Sequence, residues 1–165
     1  GDEVVVLPSG MTSKIAGIDL FDKEVTEAFP PMSVTVRLED DIDVSRGDMI
    51  ARPANAPKPS QDIDAMICWM TNEPLRPRQK LAIKHTTRTA RALVKDIQYR
   101  LDINTLHRDQ ETKEIGLNEI GRIQLRTTVP LLCDPYSKNR TTGSFILIDE
   151  ATGVTVGAGM INSSS

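Results

Sequence analysis

Histidines and clustered carboxylates are the side chains of this sequence best suited to metal or acid–base chemistry. His85 and His107 are its two histidines, 22 residues apart. Neither has a cysteine or carboxylate at a spacing typical of zinc ligands, so each is interpreted as a packed or surface histidine. Asp40, Asp41 and Asp43 lack the glycine and the terminal glutamate that a calcium loop requires. A solvated acidic turn is favoured there, and no metal-ligating residues are predicted.

The two cysteines are the next candidates, as nucleophiles. Cys68 and Cys133 each lie in an apolar run, without CxxC spacing. Neither neighbourhood carries the positive charge that stabilises a reactive thiolate. Buried free thiols are favoured, and a disulfide between them stays open. Because the sequence also lacks a G-x-S-x-G nucleophile elbow, the predicted catalytic set is none.

Phosphate-binding loops are the third possibility. The sequence has no G-x-x-x-x-G-K-[ST] motif and no glycine-rich loop between a strand and a helix. Gly157 and Gly159 lie inside a strand-like stretch, where close backbone packing or a bulge explains them better than phosphate binding. Arg46, Gly47 and Asp48 are interpreted as a turn between two strands. The predicted set of cofactor-binding residues is therefore also none.

A group of basic residues in the second half of the chain is the remaining candidate for binding. If a strand near residues 88–100 lies beside one near residues 122–126, their cations share a face that suits RNA phosphates or an acidic protein. Tyr99 is almost the only aromatic residue nearby, so stacking of single-stranded bases is poorly supported. Ordinary solvated surface is favoured. The group comprises His85, Arg88, Arg91, Lys95, Arg100, Arg108, Arg122 and Arg126.

Composition indicates how these residues are positioned. Aromatic residues make up 4% of the 165 residues, so aliphatic side chains must fill the core. Isoleucine, threonine and valine are abundant, and β-branched side chains favour strands. Residues 1–57 have a net charge of −6, from 5 Lys/Arg and 11 Asp/Glu, whereas the rest carries +3, from 15 and 12. This asymmetry predicts two units with different surfaces.

Short alternating runs separated by turn residues predict an all-β fold, a sandwich or a barrel, without a long amphipathic helix. Residues 22–31 and 105–118 are predicted to be loops, and a bulge is expected at Gly17. The proline-rich residues 53–60 are predicted to be a linker. The predicted domains are residues 1–57 and 58–162, with 163–165 as a disordered or artificially added tail. The predicted strands cover residues 4–7, 13–21, 33–38, 49–51, 63–70, 81–85, 89–101, 120–129, 144–149 and 154–161.

Three stretches resemble translation-factor GTPases. Residues 2–10 are similar to the GD-x-V-x-V-x-P-S-G strand and turn of their second domain, and residues 33–50 resemble the end of that domain. Residues 152–161 resemble the last strand of their third domain. A narrower resemblance is to the large, GTPase subunit of sulfate adenylyltransferase, including forms fused to adenylylsulfate kinase. It rests on residues 68–70, 85–87, 99–106, 117–121 and especially 139–149.

This resemblance implies two antiparallel β-barrels of the elongation-factor domain 2 and domain 3 type, the first incomplete. It implies a non-catalytic region of an enzyme that makes adenylylsulfate and pyrophosphate from ATP and sulfate, driven by GTP hydrolysis. GTP and Mg would bind the GTPase domain of the longer protein, and this region would need no cofactor of its own. The implied partners are that GTPase domain and the small adenylyltransferase subunit, in the cytoplasm and away from membranes. The resemblance implies that the longer protein is a GTP-dependent nucleotidyltransferase, whereas this region carries no catalytic motif of its own.

Two other functions are kept as alternatives. The positive second unit allows tRNA- or RNA-binding barrels of a translation elongation factor, although nucleic acid is the less favoured partner. An unrelated all-β enzyme would need a pocket with convergent titratable groups.

Overall fold

The computed structural model describes residues 1–164, which form twelve β-strands and one 3₁₀ turn, Pro53–Asn55. The contacts divide the chain into a first unit, Gly1–Ala56, and a second unit that begins at Pro57. Helices are absent from the described residues apart from that turn, and no described segment is a helix long and apolar enough to cross a membrane. The predicted all-β fold is confirmed.

The first unit is one curled antiparallel sheet that forms an incomplete barrel. Its strands are paired in the order β3-β2-β1-β5, and β4 also pairs with β2. Val4 and Val6 of β1 are buried. The strands are β1 Glu3–Leu7, β2 Met11–Leu20, β3 Lys23–Val25, β4 Thr35–Leu38 and β5 Met49–Ala51.

Two details of this unit test the sequence analysis. The register between β2 and β4 shifts between Ile15 and Gly17, which confirms the irregularity expected at Gly17. The prediction of a loop over residues 22–31 is wrong at Lys23–Val25, because these residues pair with Ile18–Leu20 of β2. A strand of three residues is too short to produce a recognisable alternation.

The second unit is a closed antiparallel barrel of six strands. Six strands are paired in the order β10-β6-β12-β11-β7-β8, and β10 also pairs with β8, so the first and last strands of this order close the barrel. The short strand β9 pairs with β8 at the margin. Closure leaves these six strands without a free edge. The strands are β6 Lys58–Trp69, β7 Lys80–His85, β8 Arg88–Leu101, β9 Arg108–Asp109, β10 Ile120–Cys133, β11 Ser144–Ile148 and β12 Thr155–Ser164.

Side chains of alternate residues fill the barrel interior. Along β6, Ile63, Ala65, Ile67 and Trp69 are buried, whereas the residues that alternate with them are more exposed. Trp69 has a partner for its polar atom, because its Nε1 donates to the carbonyl of Glu73 at 2.6 Å. Burying an isoleucine or leucine side chain completely stabilises the fold by about 1.5–3 kcal/mol. The barrel is therefore held together by aliphatic packing around a single tryptophan.

Gly157 and Gly159 serve this packing, as expected. A Cβ on Gly157 would lie 3.2 Å from Cε3 of Trp69, and one on Gly159 would lie 2.7 Å from Cε1 of Phe145. These glycines let β12 pass directly over two buried rings. Their role is structural, and they form no part of a phosphate loop.

Several predicted boundaries differ from the structure. The expected linker over residues 53–60 is wrong at its end, because Pro59 and Ser60 pair with β10. Residues 105–118 include the short strand β9, and β10 continues past residue 129 to Cys133. Ser163 and Ser164, expected to belong to a disordered or artificially added tail, pair with β6 and so are ordered as strand, while Ser165 lies outside the described residues. Long-range pairing places all of these segments in strands although their own sequences do not alternate.

Candidate functional site

His85, at the end of β7, is buried inside the second unit. Its Nε2 lies 2.7 Å from the carbonyl oxygen of Thr142, and Asp134 accepts from the hydroxyl of Thr142 at 3.0 Å. Burial lowers the pKa of His85, so the neutral ring donates to that carbonyl. His85 is thus a packed histidine that fixes the segment around Thr142.

The other candidate metal ligands also have structural roles. His107 lies in an exposed loop next to β9, where its backbone N–H bonds to Thr105. Asp40 accepts from the hydroxyl of Ser13 at 2.8 Å. In the part of the chain that the structure describes, no three His, Cys, Asp or Glu side chains come together as metal ligands do.

The two cysteines are both free thiols but differ in exposure. Cys133 is buried, as expected, and burial raises the pKa of its thiol. Cys68 is half-buried, which corrects the expectation that both are buried. The difference arises because Ile67 and Trp69 point into the barrel, so the intervening Cys68 points outward.

The basic group is largely neutralised by carboxylates. Asp62 forms an ion pair with Arg126, and its carboxylate lies 3.6 Å from the ammonium of Lys95. Arg122 donates two hydrogen bonds to the carboxylate of Asp64, and these raise the pKa of Arg122. Further pairs join Arg91 to Glu150 and Arg100 to Asp109 and Glu119, while Arg108 lies 5.0 Å from the ring centre of Tyr99. Phosphate binding would have to compete with these carboxylates, which argues against an RNA surface.

A groove lies on the outside of the barrel. The strand register aligns two rows of outward-facing side chains across neighbouring strands, and together they enclose about 810 Å³. Most of these side chains are apolar, which is unusual for the wet face of a sheet. The first row comprises Ile120, Cys68, Ala158, Ile146 and Lys84, and the second comprises Met66, Met160 and Ser144.

The loop between β10 and β11 forms one wall of the groove. It contributes Tyr136, Arg140 and Thr141. The side-chain oxygen of Asn139 accepts from the N–H groups of Thr141 and Thr142, at 3.0 and 3.2 Å. The same loop is fastened to the barrel by His85, so this wall is held in place from inside.

Gly143 is the last residue of this loop before β11, and neighbouring backbone atoms leave no room for a side chain there. A Cβ there would lie 2.6 Å from both the nitrogen of Tyr136 and the carbonyl oxygen of Asn139. The N–H of Tyr136 also donates to Ile161 of β12 at 2.8 Å. Backbone contacts therefore determine the position of the wall.

The chemistry of the groove is that of a binding surface. Its described lining contains a thiol, a phenol, hydroxyls and two cations, and it includes no carboxylate or imidazole. A general base next to a nucleophile is therefore missing from the described lining. This groove was not predicted from the sequence. The available signal was the continuous apolar run of β11, in which Phe145 and Leu147 fill the core while Ile146 faces outward.

Comparison with known proteins decides the family. Residues 62–162 match the family described as GTP-eEF1A C-terminal domain-like. The chain belongs to this family. A solved structure of sup35 complexed with GDP has the same fold, with a TM-score of 0.88 at 19% identity, over 99% of this chain and 40% of that one. The predicted barrels of translation-factor type are thereby confirmed.

Closer relatives have names from sulfate activation. The chain is 58% identical over 162 residues to the bifunctional enzyme CysN/CysC of Mycobacterium tuberculosis. It is 44% and 45% identical to sulfate adenylyltransferase subunit 1 of Alteromonas mediterranea and Bacteroides thetaiotaomicron. Each match covers 98% of this chain but only 26%, 34% and 35% of the relative. The resemblance to the GTPase subunit of sulfate adenylyltransferase is confirmed. The chain spans about a quarter to a third of the length of these relatives.

Proposed function

We propose that this chain is the non-catalytic β-barrel region of the GTPase subunit of a sulfate adenylyltransferase. The complete enzyme would convert ATP and sulfate to adenylylsulfate and pyrophosphate, coupled to GTP hydrolysis. The barrels would couple the GTPase domain to the small adenylyltransferase subunit, in the cytoplasm. Relatives of that name, matched over 98% of this chain, support the proposal.

The outward groove is the observation that carries a coupling role. Met160 is 45% exposed at its centre, beside Met66 on the neighbouring strand. A rigid closed barrel with such a surface is suited to transmit a rigid-body rearrangement between the parts that it touches. No residue of this chain is assigned to nucleotide or metal, so GTP and Mg would bind the GTPase domain of the longer protein.

The test uses the full-length subunit together with its small subunit, and measures GTP hydrolysis and adenylylsulfate formation in the same reaction. Met160→Glu places a charge in the apolar groove at a solvent-facing position, which spares the core. We expect GTP hydrolysis to continue while the adenylylsulfate formed per GTP falls several-fold. Thr155→Glu is the matched control, because Thr155 is an exposed residue of the same strand outside the groove.

Two results would contradict the proposal. One is an unchanged ratio of adenylylsulfate to GTP in a folded Met160→Glu enzyme. The other is turnover of GTP, or of ATP with sulfate, by the purified 165-residue chain alone.

A further inference from the structure

The cations of the second unit differ in whether a carboxylate lies within ion-pair distance, and among the described residues Lys80, outside the groove, also lacks one. Most cations of the second unit have a carboxylate partner, as Arg91, Arg122 and Arg126 do. Lys84 and Arg140 both line the groove, and no acidic side chain among the described residues lies within ion-pair distance of either. The groove therefore combines an apolar floor with two positive charges that the barrel itself does not neutralise.

The composition of the groove indicates the class of its occupant. Methionine, tyrosine and arginine are enriched in the cores of interfaces between separate proteins, and Met66, Met160, Tyr136 and Arg140 supply all three here. Flexible methionine side chains also adapt to the shape of a partner. A small molecule would instead need a site that encloses most of its surface. An open groove of this kind fits a protein segment better.

We propose that the groove binds an acidic segment of the small adenylyltransferase subunit, with an aliphatic or aromatic anchor on the floor and carboxylates on Lys84 and Arg140. This inference rests on the proposed function and adds the partner surface and its chemistry. Charge complementarity selects an acidic partner, because a basic one would meet two unpaired cations. The interface-like composition selects a separate subunit over a further domain of the same chain, since contacts between domains of one chain are more polar than obligate subunit interfaces.

Cys68 provides a native probe of the groove. It lies in the first row of the groove and is half-buried, whereas Cys133 is buried and serves as an internal reference. In the full-length subunit, alkylation of Cys68 by N-ethylmaleimide is followed by mass spectrometry of the peptide that contains it. We expect the rate to fall at least about tenfold when the small subunit is added in excess of its Kd.

Charge reversal tests the acidic character of the partner. Lys84→Glu and Arg140→Glu should each weaken binding of the small subunit about tenfold, measured by calorimetry at low salt, and added salt should weaken the wild-type complex. Lys80→Glu is the matched control, because Lys80 is an exposed lysine of the same strand outside the groove and should bind as wild type does.

The outcomes separate this inference from the proposed function. If Cys68 is already protected in the full-length subunit alone, another part of that chain or a second copy covers the groove, and the inference fails. It also fails if the small subunit leaves Cys68 reactive, or if Lys84→Glu and Arg140→Glu bind like Lys80→Glu. In each case the proposed function stands as long as Met160→Glu still lowers the adenylylsulfate formed per GTP.

Discussion

Replacing Gly159 by alanine tests how closely β12 packs over the barrel core. The added Cβ would lie closest to Cζ of Phe145, whose ring is buried, and 2.7 Å from each of its Cε atoms. Carbon atoms in ordinary contact are about 3.5–4.0 Å apart, so the ring or the strand must move by about 1 Å. Such overpacking costs about 1–3 kcal/mol, and the reduced entropy of the unfolded chain offsets about 0.4–1 kcal/mol. We expect the free energy of unfolding to fall by about 1–2 kcal/mol.

Urea unfolding followed by the fluorescence of Trp69, which is the sole tryptophan and is buried, measures this change in the second unit. Gly157→Ala is the comparison, because its Cβ would lie 3.2 Å from Cε3 of Trp69, a milder overlap that should cost less than that of Gly159→Ala. In a Phe145→Leu background, the smaller side chain should remove most of the cost of Gly159→Ala. Equal losses for the two glycine variants, or no rescue by Phe145→Leu, would refute the packing argument.

Two further predictions concern titration. Burial lowers the pKa of His85, so the unfolded chain takes up this proton first as the pH falls. Stability should therefore decrease below about pH 6.5, by at most about 1.4 kcal/mol per pH unit, and level off below the folded pKa. His85→Gln should flatten this part of a urea-denaturation series, and an unchanged slope would contradict the assignment. Hydrogen bonds from the hydroxyl and the N–H of Thr112 lower the pKa of Asp109 to about 2. Thr112→Val should raise that pKa toward its ordinary value in a carboxyl NMR titration, and an unchanged value would show that the hydroxyl contributes nothing.

Prediction from sequence succeeded where local alternation is strong. The strands around Ile63–Trp69 and Ile123–Thr127 were placed correctly, because their inward-facing residues recur with the two-residue period of a pleated strand. It failed for Lys23–Val25 and Arg108–Asp109, which are too short to show any period. It also failed for Ser163 and Ser164, which are polar and are strand residues only because β6 is there to pair with them.

The candidate site was less accessible to sequence reasoning than the fold. The basic residues were recognised, but their carboxylate partners lie far away in sequence, as in the pair of Arg122 with Asp64, 58 residues apart. The sequence does not single out Lys84 and Arg140, because a cation without a carboxylate partner is recognised only after the residues around it have been placed. The groove itself depends on which face of each strand is turned outward and on the register between strands.

The sequence by itself determined the class of fold and the family, because β-branched composition, turn residues and extended motifs are properties of consecutive residues. Only the tertiary structure decided that Met66, Ile146 and Met160 share one outward surface, and that two cations beside it have no acidic partner among the described residues. The physical reason is that barrel closure and strand register join residues far apart in the chain, and local preference does not fix either of them.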